Sequence, residues 1–208
     1  MFYGVTTLNN IKNHQPLGAA NNSIGATATY SFGLEALFTF IILVIGTFLI
    51  YRWLSKKTYE ELSQLIIVAI AGIAVVYASN SIVNMMKVNW GRFRPYEVKE
   101  IVSSTKGTFT NWWHLNGQTG HQSFPSGHTI AAAAALFLPF FADRKNLKGQ
   151  KILAYSGFVF TLLMMAARVR IGAHFLSDTT MSLIIASLVT FVATKAIGYS
   201  FIEEESLN

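Results

Sequence analysis

The sequence predicts an all-α integral membrane protein, a helical bundle of about five transmembrane helices with one long extramembrane loop. Composition is the first reason: 52% of the 208 residues are hydrophobic and 12% are charged. With a mean hydropathy of +0.41, that is too little charge to coat a water-soluble domain. The second reason is pattern. Apolar runs approaching the roughly 20 helical residues that cross a hydrocarbon core recur along the chain, divided by short polar links. The third is where the charge lies. The net +6 sits in those links rather than on one polar face or tail, which argues against nucleic acid and for anionic headgroups or a phosphorylated ligand. Without cysteine there is neither a disulfide framework nor a thiolate metal site.

Residues 1–32 read as a polar extramembrane arm rich in Asn, Thr and Gly. No basic stretch leads into an apolar run there, so a cleavable signal peptide is not expected. Residues 33–202 form the transmembrane domain and 203–208 an acidic tail. Within the domain, run A covers about Leu34 to Tyr51 and run B Leu65 to Met86, each long enough to span. Run C, Thr129 to Ala142, is short alone and gains length if its helix starts at Ser126; its five consecutive alanines permit close helix packing. Run D covers Ile152 to Ala167 and run E Leu176 to about Ile197.

The links differ in kind. Arg52, Lys56 and Lys57 follow run A, and Arg144, Lys145, Lys148 and Lys151 follow run C, with no histidine among them, as in cytoplasmic positive-inside loops. Alternation then puts the loop Lys87 to Pro125 and the link Arg168 to Ala173 on the opposite face. Adding Lys195 to the first side gives eight basic residues on each side. If Lys87, Arg94 and Arg168 bind an anion and do not set topology, the balance becomes eight to five.

Three clusters remain. Lys87 and Arg94 are seven residues apart, about two helical turns, and Pro95 then stops the helix. Each cation alone would be read as a snorkelling side chain. Phe124 to Thr129, Phe-Pro-Ser-Gly-His-Thr, opens run C: Gly127 lets backbone approach a ligand, Ser126 can cap the helix or donate to a ligand, and the first N–H groups carry partial positive charge. An ordinary helix start explains all of this except His128. In the third cluster, His174 and Asp178 are four apart on one helical face, with Arg168 six residues upstream. A carboxylate on one imidazole nitrogen fixes the tautomer and frees the other nitrogen as base or nucleophile.

Jointly, the clusters call for a dianionic tetrahedral ligand. Lys87, Arg94 and Arg168 would neutralise its oxygens, Ser126 and Gly127 would add donors, and His128 and His174 would stand on opposite sides. That is a layout for phosphoryl transfer with no metal or other cofactor: His174, oriented by Asp178, attacks phosphorus, while His128 protonates the leaving oxygen and then activates water. His114, His121 and His128 recur every seven residues, but the three cations crowd the place a divalent ion would take.

Lys87-x6-Arg94-Pro95, Pro125-Ser126-Gly127-His128 and Arg168-x5-His174-x3-Asp178 together resemble the three-part signature of the type 2 phosphatidic acid phosphatase superfamily, which includes membrane lipid phosphatases, glucose-6-phosphatase and vanadium haloperoxidases. The resemblance covers roughly Lys87 to Asp178 and implies the same roles, with His174 the nucleophile and His128 the acid. It also implies an extramembrane catalytic loop at the outer face of a cell membrane, and as partners membrane lipids and a lipid phosphate: phosphatidylglycerol phosphate, phosphatidic acid or undecaprenyl pyrophosphate. Two departures stand out. Ala167 precedes Arg168 where the family usually has serine. Membrane members commonly have six spans, and the arm at 1–32 looks like the loop after a first span, so either the amino terminus is shortened or a five-span form is real.

Trp112, Trp113, His114 and His121 either sit over the headgroup or anchor the loop at the interface. Two rival functions use parts of the pattern. An intramembrane serine hydrolase would employ Ser126, His128 and Asp178 but lacks a G-x-S-x-G elbow and leaves the cations idle. A phospholipid-phosphate binding or transport module would need the cations but not the pairing of His174 with Asp178.

Overall fold

A computed structural model describes residues 32–103, 105–143 and 146–198. Most of the amino-terminal arm, the acidic tail, and Arg144 and Lys145 lie outside the described residues. The chain divides into two compact units, Met1–Gln64 and Leu65–Asn208.

In the first unit, α1 (Phe32–Leu54) is one continuous apolar helix of 23 residues. The turn after it prepares the next helix. Thr58 Oγ1 accepts the Glu61 N–H at 3.3 Å while Glu61 Oε2 accepts the Thr58 N–H at 2.8 Å, a reciprocal capping box. Lys57 Nζ adds an ion pair to Glu61 at 2.8 Å.

The helix so started, α2 (Tyr59–Trp90), runs for 32 residues, about 48 Å at 1.5 Å per residue. Because a hydrocarbon core is about 30 Å thick, such a helix outruns it and can carry Lys87 clear of the acyl chains. The second unit then holds α3 (Gly127–Ala133) with a 3₁₀ continuation (Ala134–Phe141), α4 (Leu147–Arg170) and α5 (Leu176–Ala196). No strand occurs among the described residues, only an isolated bridge between Val98 and Gly107.

Runs A, B, D and E are helices long and apolar enough to cross a membrane, and the fold is the all-α membrane bundle the sequence predicts. Run C differs. Gly127–Phe141 has fewer residues than a standard span, and after Ala133 it tightens to 3₁₀ winding and carries Pro139, which cannot donate an N–H. The 3₁₀ rise of about 2 Å per residue stretches this element to about 26 Å, a little under the core thickness.

The alanines of run C do permit close packing. A Cβ on Gly157 of α4 would lie 2.5 Å from the Ala135 carbonyl oxygen, so only glycine allows the two backbones to meet there. Two apolar clusters fill the rest of the unit. One joins Val68, Ala71 and Val75 to Phe137 and Phe140; the other joins Val83 to Ile130, Ala133, Ile185 and Ala186.

Candidate active site

The motif cations stand at the ends of buried helical stripes. On α2 the buried residues Val68, Ala71, Val75, Ser79 and Val83 recur every three or four positions, and one more step of four reaches Lys87. On α4 the row Gly157, Thr161, Met165 reaches Arg168 in one step of three. Both cations therefore share the face their helix buries, not the face a snorkelling side chain would use.

Gly91 ends α2 with φ +50°, a conformation other residues resist. A Cβ there would also lie 2.0 Å from the Gly117 carbonyl. The turn sends Arg92 inward, where it is 2% exposed, and leaves Arg94 half-buried. Glu97 then accepts the Arg94 main-chain N–H at 2.8 Å, closing the short 3₁₀ turn Pro95–Glu97.

Ser126 caps α3, accepting Thr129 N–H at 3.4 Å and Thr129 Oγ1 at 3.1 Å. Its own N–H goes to the Asp178 carbonyl at 3.0 Å, and its carbonyl accepts Ser182 Oγ at 2.9 Å. Ser126 thus ties the second cluster to the third through its main chain. Gly127 faces the first cluster: a Cβ on it would lie 2.8 Å from Lys87 Nζ.

His174 is 2% exposed. Its Nδ1 lies 2.7 Å from the Ser123 carbonyl, which can only accept, so Nδ1 carries the proton and Nε2 keeps its lone pair. Asp178, expected to make that bond, is 3.7 Å away through Oδ2. That oxygen accepts Ser123 Oγ at 2.6 Å and Phe175 N–H at 2.9 Å, while Oδ1 takes Arg92 Nη1 at 2.5 Å. Burial holds the His174 imidazole below its ordinary range, against the opposing pull of Asp178. Burial does the same to His128, helped by the charges of Arg168, His174, Lys87 and Arg94, and lowers it from 6.5 to about 4. Arg168, His174, Lys87 and Arg94 thus all lie close enough to His128 to act on its charge.

Arg92 and Ser123 hold the site together and were not among the sequence candidates. The only sequence signal for Arg92 was a second arginine two residues before Arg94, in Gly91-Arg92-Phe93-Arg94-Pro95. Ser123 had none. In the loop, Trp112 is stacked 6.4 Å from Phe124, whose other neighbour Trp90 lies at 5.4 Å. Trp113 remains exposed. His121 lies 3.9 Å from the Phe93 ring and 3.2 Å from Glu97, and His114 is exposed.

No solved structure matches the chain significantly. A curated relative, phosphatidylglycerophosphatase B of Haemophilus influenzae, is 34% identical over 98 residues, a stretch covering 45% of this chain and only 38% of that protein. The family model described as the PAP2 superfamily matches residues 60–202, through all three clusters, and the chain belongs to that superfamily.

Proposed function

We propose that the protein is a metal-independent membrane lipid phosphatase that hydrolyses a lipid phosphomonoester or pyrophosphate through a phosphohistidine, with its site on the extracytoplasmic side of the cell membrane. The observation that carries this is the His174 ring, whose Nδ1 proton is engaged by a carbonyl so that Nε2 keeps its lone pair, near a histidine on which three cations act. Membership of the superfamily and the likeness to a phosphatidylglycerophosphatase support the substrate class. So does an apolar groove of about 610 Å³ between α2 and run C, lined by Gly72, Ile73, Val76 and Phe141 among others, which suits an acyl or prenyl chain.

In the proposed reaction Lys87, Arg94 and Arg168 bind the phosphoryl oxygens beside Gly127, with Ser126 setting the helix start behind it. His174 Nε2 forms a bond to phosphorus as the ester P–O bond breaks, and the leaving oxygen takes a proton from His128. Water then attacks the phosphohistidine, His128 recovers a proton from it, and inorganic phosphate leaves. His128 is neutral at pH 7 because burial and the neighbouring cations disfavour its charge. A bound dianion offsets those cations and lets the imidazole take up the proton it must deliver, general acid work typically worth about 10² to 10⁴ in rate.

The test is phosphate release from a panel of lipid phosphates and pyrophosphates by purified protein in detergent with excess chelator, with His174→Ala as the blank. Release by the wild type and none by the folded variant is the expected result. Comparable turnover by His174→Ala would refute it, and total loss in Ser126→Ala beside normal His174→Ala would point to a serine hydrolase. Activity lost to chelator and restored only by a divalent ion would overturn the metal-free part.

A further inference from the structure

We infer that Arg92 is a positioning residue for the nucleophile, acting on His174 through Asp178 and Ser123, an inference that rests on the phosphatase reading above. The His174 Nδ1 to Asp178 Oδ2 contact is long, 3.7 Å, outside hydrogen-bond distance. The ring is instead aimed by the Ser123 carbonyl at 2.7 Å, so its orientation depends on what fixes the Ser123 peptide.

Arg92 holds the Ser123 residue twice. Its main-chain carbonyl accepts the Ser123 N–H at 3.0 Å. Its Nη1 holds Asp178 Oδ1 at 2.5 Å, and the other carboxylate oxygen accepts Ser123 Oγ at 2.6 Å. The guanidinium has no freedom of its own. Nε donates to the Thr110 carbonyl at 3.0 Å, Nη1 also reaches Ser177 Oγ at 2.8 Å, and the Phe175 ring lies 4.2 Å beneath the plane. A planar fork with several donors can meet all these partners at once, whereas a lysine ammonium cannot.

Arg92 is not a fourth phosphate ligand. It is 2% exposed and its charge is met by a carboxylate, whereas Arg94, two residues on, is half-buried and acts on both histidines. The consequence is kinetic: loosening Arg92 should misaim His174 without weakening the hold on the phosphoryl oxygens. A misplacement of about 1 Å at a reacting group can lower a rate by about 10²-fold.

The experiment compares wild type, Arg92→Lys, Ser123→Ala, Asp178→Asn and the double variant Arg92→Gln/Asp178→Asn, which keeps the buried charges balanced. Dioleoyl phosphatidic acid in detergent micelles is the substrate, orthovanadate the inhibitor, and ¹⁵N NMR of His174 the tautomer probe. Arg92→Lys and Ser123→Ala should each lower kcat by about 10- to 100-fold, with KM and vanadate inhibition within about twofold. The His174 signal should change from Nδ1-protonated to a mixture, and the double variant should be no slower than Asp178→Asn, as expected of residues acting as a unit.

Normal kcat and an unchanged His174 tautomer in both single variants would overturn the inference while His174→Ala, still inactive, upheld the phosphatase. KM and vanadate inhibition weakening in step with loss of Arg92 would also overturn it, by making Arg92 a phosphate ligand. A wild type that releases no phosphate from this lipid or from any lipid of the panel above would defeat the phosphatase reading itself, whereas the tautomer measurement would still decide whether Arg92 orients the ring.

Discussion

In one part of the second unit Val68, Ala71 and Val75 meet Phe137 and Phe140, and Val83 meets Ile130, Ile185 and Ala186, through contacts between apolar side chains. At the site end Arg92, Ser123, Ser126, His174, Asp178 and Ser182 are buried just as fully, yet nearly every polar atom there has a directed partner. Lipid tails are as apolar as the side chains in the first region, so contact and shape hold it rather than escape from water. The second region is specified by geometry, because each hydrogen bond fixes an angle and a buried group that loses its partner is left in a medium that cannot replace it. The apolar region should therefore tolerate exchange at constant volume, and the polar one should not.

The largest effect expected is for Asp178→Ala, which strands the Arg92 guanidinium. Breaking a buried ion pair in this way is destabilising by about 3–5 kcal/mol, measured as unfolding in detergent with added denaturant. Ile130→Val, in the apolar cluster, should lower stability by about 1 kcal/mol and leave activity near wild type. Equal losses in the two variants would break the contrast.

The smallest effect is a pH dependence that only the site end can show. The unfolded chain protonates His128 at its ordinary 6.5, the folded site only near 4. The stability that neutral His128 contributes is thus complete above 6.5 and is lost as pH falls toward 4. The thermal midpoint should fall across that window and fall less in His128→Asn, while Ile130→Val should keep the wild-type slope.

Much of this was legible in the sequence. Four of the five runs are long helices, since a stretch of apolar residues sufficient to span leaves the backbone no other way to satisfy itself in lipid. In the sequence the three charged clusters join on the expectation that a single dianion would need them all, and the charges of Lys87, Arg94 and Arg168 do all act on His128. Run C misled by one step, for the switch to 3₁₀ winding depends on packing and has Pro139 as its one local signal. The role of Ser123 was hidden for a different reason: it acts through its main-chain carbonyl, and where a carbonyl points is a property of the folded backbone. The spacing of His174 and Asp178 correctly placed both on one side, but a four-residue offset sets proximity only, not which acceptor receives the proton.

Gly157 sits eleven residues before Arg168 on α4, about 16 Å along the axis, with its backbone against Ala135 in the 3₁₀ continuation of α3, the helix that carries His128. It works as a caliper. A side chain added at Gly157 would push α4 away from Ala135, and the expected result is a wider spacing between Arg168 and His128, felt far from the substitution itself.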